Sequence, residues 1–134
     1  MEVETVYTKD MVFEVRHDGH VATMDAIPKN GGTNSGMTPK ELLLGSLGGC
    51  TGMDVVAILK KMKVSFKIFK VDVSAEKSKT EPIVFTSIHM KYIFEDVQDK
   101  AKAEKAVTLS QEKYCGISAM LKQAAKVTWE IIFK

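Results

Sequence analysis

TPKELLLGSLGGCTGMDVVAILKKMK, residues 38–63, is the stretch whose reading settles the fold. It opens as helices open. Thr38 offers a capping hydroxyl, Pro39 suits the first helical position, and Glu41 stands three residues after the cap. It closes on Lys60, Lys61 and Lys63, whose charges suit the negative pole of a helix dipole. Between these ends the side chains are apolar nearly all round, so the spacing predicts a long, buried central helix to about residue 63. Four glycines interrupt it, Gly45, Gly48, Gly49 and Gly52, each costing ~1 kcal/mol relative to alanine. On a 3.6-residue period they fall on adjoining lines along one side, a seam that admits another helix or strand at close range. Cys50 lies beside that seam, with Leu47 and Met53 three residues away on either side.

Upstream, residues 2–8 and 11–17 alternate as strands, and Asp18-Gly19 is a two-residue hairpin signal between the second strand and a third at about 20–26. Residues 28–38, PKNGGTNSGMT, read as a polar, flexible loop leading into the central helix. Downstream, KIFKVDVSAEK and IVFTSIHMKYIFE alternate as two long strands. A surface helix is expected over about 98–113, with Ala103, Val107 and Tyr114 on its inner side. A shorter helix starts at Cys115, and KVTWEIIFK ends the chain as a strand. No repeat or linker divides the sequence, so residues 1–134 are expected to form one domain.

Composition excludes more than it assigns. A hydrophobic content of 45% and a charged content of 27% are ordinary for a globular chain. A net charge of +2, on lysines spread without aromatic interleaving, gives no nucleic-acid footprint. Apolar runs are broken by Gly, Ser or Lys, so no membrane span is expected, and the acidic N-terminus is unlike a secretory signal. The expected location is cytoplasmic. His17, His20 and His89 do not cluster with the cysteines, so neither a metal site nor a cofactor is expected.

Cys50 and Cys115 are the only cysteines. In a reducing compartment they read as free thiols or a redox pair rather than a permanent staple. Cys115 falls at a helix N-terminus, where unpaired N–H groups favour a polar or anionic partner. Of 19 basic residues only Arg16 is an arginine. Its planar, permanently charged fork is something lysine cannot copy. Arg16 has two readings: a cation reserved for a thiolate, or a surface residue paired with Glu14 on the same side of its strand. Two thiols and one arginine make a minimal peroxide-reducing set, although either thiol alone also reads as core packing.

The segments TPKELLLGSLGGCTGMDVV and LSQEKYCGISAMLKQAAKVTW resemble the family of osmotically induced protein C and the organic hydroperoxide resistance proteins (OsmC/Ohr). The likeness runs in order along essentially the whole chain. It implies an α+β fold of antiparallel sheets around the buried central helix, in an intertwined homodimer with two sites at the subunit interface. It implies a thiol peroxidase acting on organic hydroperoxides and reset by a small dithiol or a lipoylated protein. By position, Cys50 would be the peroxidatic residue, Cys115 the resolving one with which it forms a disulfide, and Arg16 the cation that holds the thiolate.

The acidic partner departs from the pattern. In the hydroperoxide branch a glutamate directly follows the helix-opening proline; here that residue is Lys40, and the glutamate is Glu41, rotated by ~100°. Some branches do carry it at the later position. Glu41 also precedes Cys50 by nine residues, ~13 Å along one helix and on the opposite face. The two serve one site only if the N-terminal sheet or a second subunit bridges them. The rival expectation is a non-catalytic dimeric binding or redox-sensing stress-response module on the same fold.

Overall fold

The computed structural model describes all residues 1–134 and resolves them into two compact units, Met1–Leu43 and Leu44–Lys134. In the first, strands β1 (Glu4–Lys9), β2 (Val12–His17) and β3 (His20–Met24) form an antiparallel sheet in that order. His17 pairs with His20 across the expected turn, where Asp18 and Gly19 both adopt positive φ (48° and 76°), as a two-residue hairpin of this twist requires.

The loop after β3 is pinned rather than flexible. Asp25 is 2% exposed, and its carboxylate accepts from the N–H of Ala26 and from both the N–H and the hydroxyl of Thr33 and of Ser35. These bonds, the Ser35 N–H foremost, hold its pKa well below the usual carboxylate range. The wrap is so tight that a Cβ on Gly32 would lie 1.8 Å from the Ala26 carbonyl oxygen. Composition announced a loop here; one buried anion ordered it.

Helix α1 spans Pro39–Lys61, and its start is the capping box read from the sequence. The Thr38 hydroxyl accepts from the Glu41 N–H (3.3 Å), and the Glu41 carboxylate accepts from the Thr38 N–H (2.8 Å). At the other end Lys63 takes a left-handed φ of 56°, and Val64 N–H returns to the Leu59 carbonyl, closing the last turn.

In the second unit, β4 (Ile68–Lys77), β5 (Phe85–Glu95) and β6 (Lys126–Phe133) form a sheet in that order, with helices α2 (Lys100–Leu109) and α3 (Gly116–Leu121) between β5 and β6. β4 and β5 pair antiparallel, but β5 and β6 pair parallel. The sheet is therefore mixed where antiparallel pairing was expected. The reason is connectivity: a helical crossover of this length brings the chain back to the same end of the sheet. Ile88, Met90, Tyr92 and Phe94 of β5 are at most 1% exposed and meet Leu47, Val55 and Leu59 of α1 and Ala103, Ala106 and Val107 of α2 in one core. The Phe69 and Phe94 rings stack at 4.5 Å between centroids.

Three expectations need correction here. Helix α1 is long and apolar enough to cross a membrane by length and composition, with an 18-residue window of mean hydropathy 1.8, because its glycines and serine lower hydropathy only slightly. It is also not buried all round: only the stripe Leu47, Thr51, Val55 and Leu59 is fully covered, while Met53 is 76% exposed. On α2 the inner residues are Ala103, Ala106 and Val107, whereas Tyr114 faces solvent.

Candidate functional site

Cys50 comes from the middle of α1, half-buried, and Cys115 from the N-cap of α3, 3% exposed. Their sulfurs lie 3.3 Å apart, in hydrogen-bond contact as free thiols. The Cys115 backbone is extended (φ −72°, ψ 99°), and its Sγ accepts the Ser118 N–H at 3.4 Å, so this sulfur plays the part a serine oxygen usually plays at a helix start. Burial nevertheless dominates: it pushes the Cys115 thiol up to about 11, with the Ser118 N–H acting in the opposite direction.

Between α2 and Cys115 the chain makes a π-helical turn, Ser110–Tyr114, closed by the Cys115 N–H on the Ser110 carbonyl at 2.8 Å. The wider turn buries the neighbours Ser110 and Gln111 together and leaves Tyr114 outside. Both reach a polar cluster that the sequence reading missed. The Ser118 hydroxyl donates to Gln111 Oε1 (2.6 Å), and Gln111 Nε2 donates to the Tyr92 oxygen (2.7 Å) and to Thr51 Oγ1 (3.1 Å). Tyr92 and Thr51 share a 2.7 Å bond, Thr51 and Ser110 one of 2.8 Å, and the Ser110 hydroxyl donates to Asp54 Oδ2 at 2.9 Å.

Proton counting fixes the direction of this chain. Ser110 spends its one hydrogen on Asp54, so Thr51 donates to Ser110, and Tyr92 must donate to Thr51. The bonds run head to tail from Ser118 to the carboxylate of Asp54, and no buried side-chain polar atom is left unpaired. Burial pushes Tyr92 up to about 12, against the opposing bonds from Thr51 and Gln111, so the phenol is a fixed donor. A signal was present in the sequence: Thr51 is a polar residue on the otherwise apolar line Leu47, Val55, Leu59, and such a residue needs partners.

Arg16 and Glu41 belong to the first unit and are placed as follows. Arg16 donates from Nε (2.9 Å) and from Nη2 to the Glu14 carboxylate, the pairing foreseen as its surface reading. Glu41 serves the α1 cap. The two cysteines are thus brought together, while the arginine and the glutamate each have a local partner.

The glycine seam is only partly filled. A Cβ on Gly48 would stand 3.2 Å from a Val73 methyl, so β4 is the element that approaches there. At Gly45 and Gly49 nothing lies within 4 Å. An open groove of about 530 Å³ runs along this side, floored by Gly48, Gly49 and Gly52 and walled by Met53, Phe69 and Val71.

Comparison with known proteins shows the family. The family model described as OsmC-like protein matches residues 32–130, a span that includes both cysteines. The chain belongs to the OsmC-like family. It is 37% identical over 112 residues to protein YhfA of Escherichia coli K12, covering 82% of this chain and 80% of YhfA. A crystal structure of a hypothetical protein from Aquifex aeolicus VF5 superposes with a TM-score of 0.80 at 33% identity, over 99% of this chain and 96% of that one. An organic hydroperoxide resistance protein OsmC from Legionella pneumophila shares the fold, with a TM-score of 0.72 at 14% identity, over 98% of this chain and 95% of that one. Among OsmC-like proteins, then, the α+β fold expected from the sequence holds, and proteins named for hydroperoxide resistance share it.

Proposed function

We propose that this OsmC-like chain is a thiol-dependent reductase of organic hydroperoxides, working as a single domain within a homodimer. The observation that carries the reading is the 3.3 Å approach of Cys50 and Cys115, from elements 65 residues apart in sequence. Two reduced thiols at that distance need only a small side-chain rotation to reach the ~2.05 Å of a disulfide. In the proposed cycle the Cys50 thiolate attacks the terminal oxygen of the hydroperoxide. The O–O bond breaks, the alkoxide leaves and takes a proton from water, and Cys50 becomes a sulfenic acid. Cys115 then attacks that sulfur. Its proton and the sulfenic hydroxyl leave together as water, and a Cys50–Cys115 disulfide remains. A small dithiol or a lipoylated protein restores both thiols by two exchanges. No metal or cofactor takes part.

Arg16 is proposed as the cation that favours the Cys50 thiolate in the assembled dimer, with the acidic Glu14 and Glu41 as candidates to orient it. The Arg16–Glu14 pair also favours the second reading, a redox sensor that forms the disulfide without turnover. Consumption of cumene hydroperoxide with a dithiol separates the two, in wild type, Cys50→Ser, Cys115→Ser and Arg16→Ala. The expected result is turnover lost in Cys50→Ser and slowed at least ~100-fold in Arg16→Ala. A wild type that forms one disulfide per chain and then stops would establish the sensor instead.

A further inference from the structure

The reductase reading gives Cys115 one task, late in the cycle. Its surroundings suit an earlier one. In the reduced protein Cys115 Sγ already accepts the Ser118 N–H, and its own hydrogen points along the 3.3 Å line to Cys50 Sγ. The titratable groups near it are Cys50 and Asp54 from α1 and Tyr92 from β5. Lys122, after α3, is engaged elsewhere: its ammonium donates to the Gln111 carbonyl at 2.6 Å and lies over the Trp129 ring. An anion at Asp54 and a phenol held neutral therefore surround a thiol that is itself 3% exposed.

We propose that Cys115 is the hydrogen-bond donor that stabilises the Cys50 thiolate before any peroxide arrives, and that Asp54 is the positioning residue that keeps it a donor. Asp54 acts in two ways. Its negative charge opposes a second anion at Cys115, which is among the causes that push that thiol up. Its bond to Ser110 anchors the π-helical turn whose Ser110 carbonyl holds the Cys115 N–H. Thr51, Tyr92 and Gln111 stiffen the same anchor from the side of the core. Once one thiolate of the pair has formed, its charge makes the second less favourable. This inference rests on Cys50 being the attacking thiolate of the proposed reductase, but it concerns the resting protein.

The test contains no peroxide. Thiolate absorbance at 240 nm and the rate of Cys50 alkylation by iodoacetamide are followed against pH in wild type, Cys115→Ser, Cys115→Ala and Asp54→Asn. Cys115→Ala removes the donor, so the Cys50 midpoint is expected to rise by about one pH unit, with alkylation below it about tenfold slower. Cys115→Ser keeps a donor and is expected to restore most of that shift. Asp54→Asn keeps the shape and removes the charge, so the second thiolate step is expected to move to lower pH. A purely structural role would leave both midpoints where they were. Should Asp54→Asn not fold, Ser110→Ala, which unties the carboxylate, is expected to move the second step in the same direction by less. An unchanged Cys50 midpoint in Cys115→Ala, or an unchanged second step in the Asp54 and Ser110 variants, overturns the proposal. Titration shifts without peroxide turnover would uphold it while refuting the reductase; turnover without the shifts would do the reverse.

Discussion

The two sides of helix α1 differ in how completely this chain finishes them. On one side Leu47, Thr51, Val55 and Leu59 are fully enclosed by β5 and α2, and even the hydroxyl of Thr51 has all its partners. On the other, Gly45 and Gly49 look into open space and Met53 is exposed. Cys50 sits between the two sides, tied to the finished one through Cys115. The difference teaches that the helix is held by one stripe, while its glycines answer to something other than the core of this chain.

The largest effect should come from the enclosed stripe. Leu59 is 0% exposed, and Leu59→Ala is expected to cost about 2–5 kcal/mol through lost transfer energy and the cavity left behind. Denaturant titration measures it as a fall in midpoint at constant slope. A cost below ~1 kcal/mol would mean that the stripe is no more essential than the open side.

Thr51→Val is the sharper break, because it nearly conserves volume and removes only the hydroxyl. Tyr92, Ser110 and Gln111 would each lose a partner in a buried setting, and about 1–3 kcal/mol is expected to go with them. The same variant should loosen the turn before Cys115, so disulfide formation with Cys50 should slow, and Cys50 alkylation below its midpoint should slow by less than in Cys115→Ala. Hydrogen exchange at Cys115 N–H, bonded to the Ser110 carbonyl, reports that loosening directly.

How much of this was legible follows from how far apart the partners stand. The capping box of α1 lies within four residues and the β2–β3 hairpin within two, and both were readable because local chemistry alone decides them. The cysteines were readable as a pair through the family likeness of their two motifs, not through any spacing. The chain from Ser118 to Asp54 was not readable, since Thr51, Tyr92 and Ser110 come from three elements 18 or more residues apart; Thr51 on its apolar line signals a need for partners, but nothing local says which they are. Asp25 was hidden for another reason: its donors Thr33 and Ser35 are what any polar loop contains, and only the buried position of the carboxylate gives them a common target. The parallel β6 follows from connectivity rather than from residue pattern, so alternation within the strand could not disclose it.

The smallest expected effect tests the open side, and its sign is the informative part. Gly49→Ala places a methyl where nothing stands within 4 Å, so it should gain helix propensity without a clash, up to ~1 kcal/mol of added stability. Gly48→Ala gains the same propensity, but its methyl would stand 3.2 Å from Val73 on β4 and should give most of that gain back. Thermal unfolding of both variants at high dilution reads the difference within one chain. Repeating it at high concentration, beside sedimentation, asks whether the proposed homodimer covers the seam. If it does, Gly49→Ala stabilises the dilute protein and weakens its association, and that opposition would identify close approach by a second copy as the reason the helix keeps a glycine there.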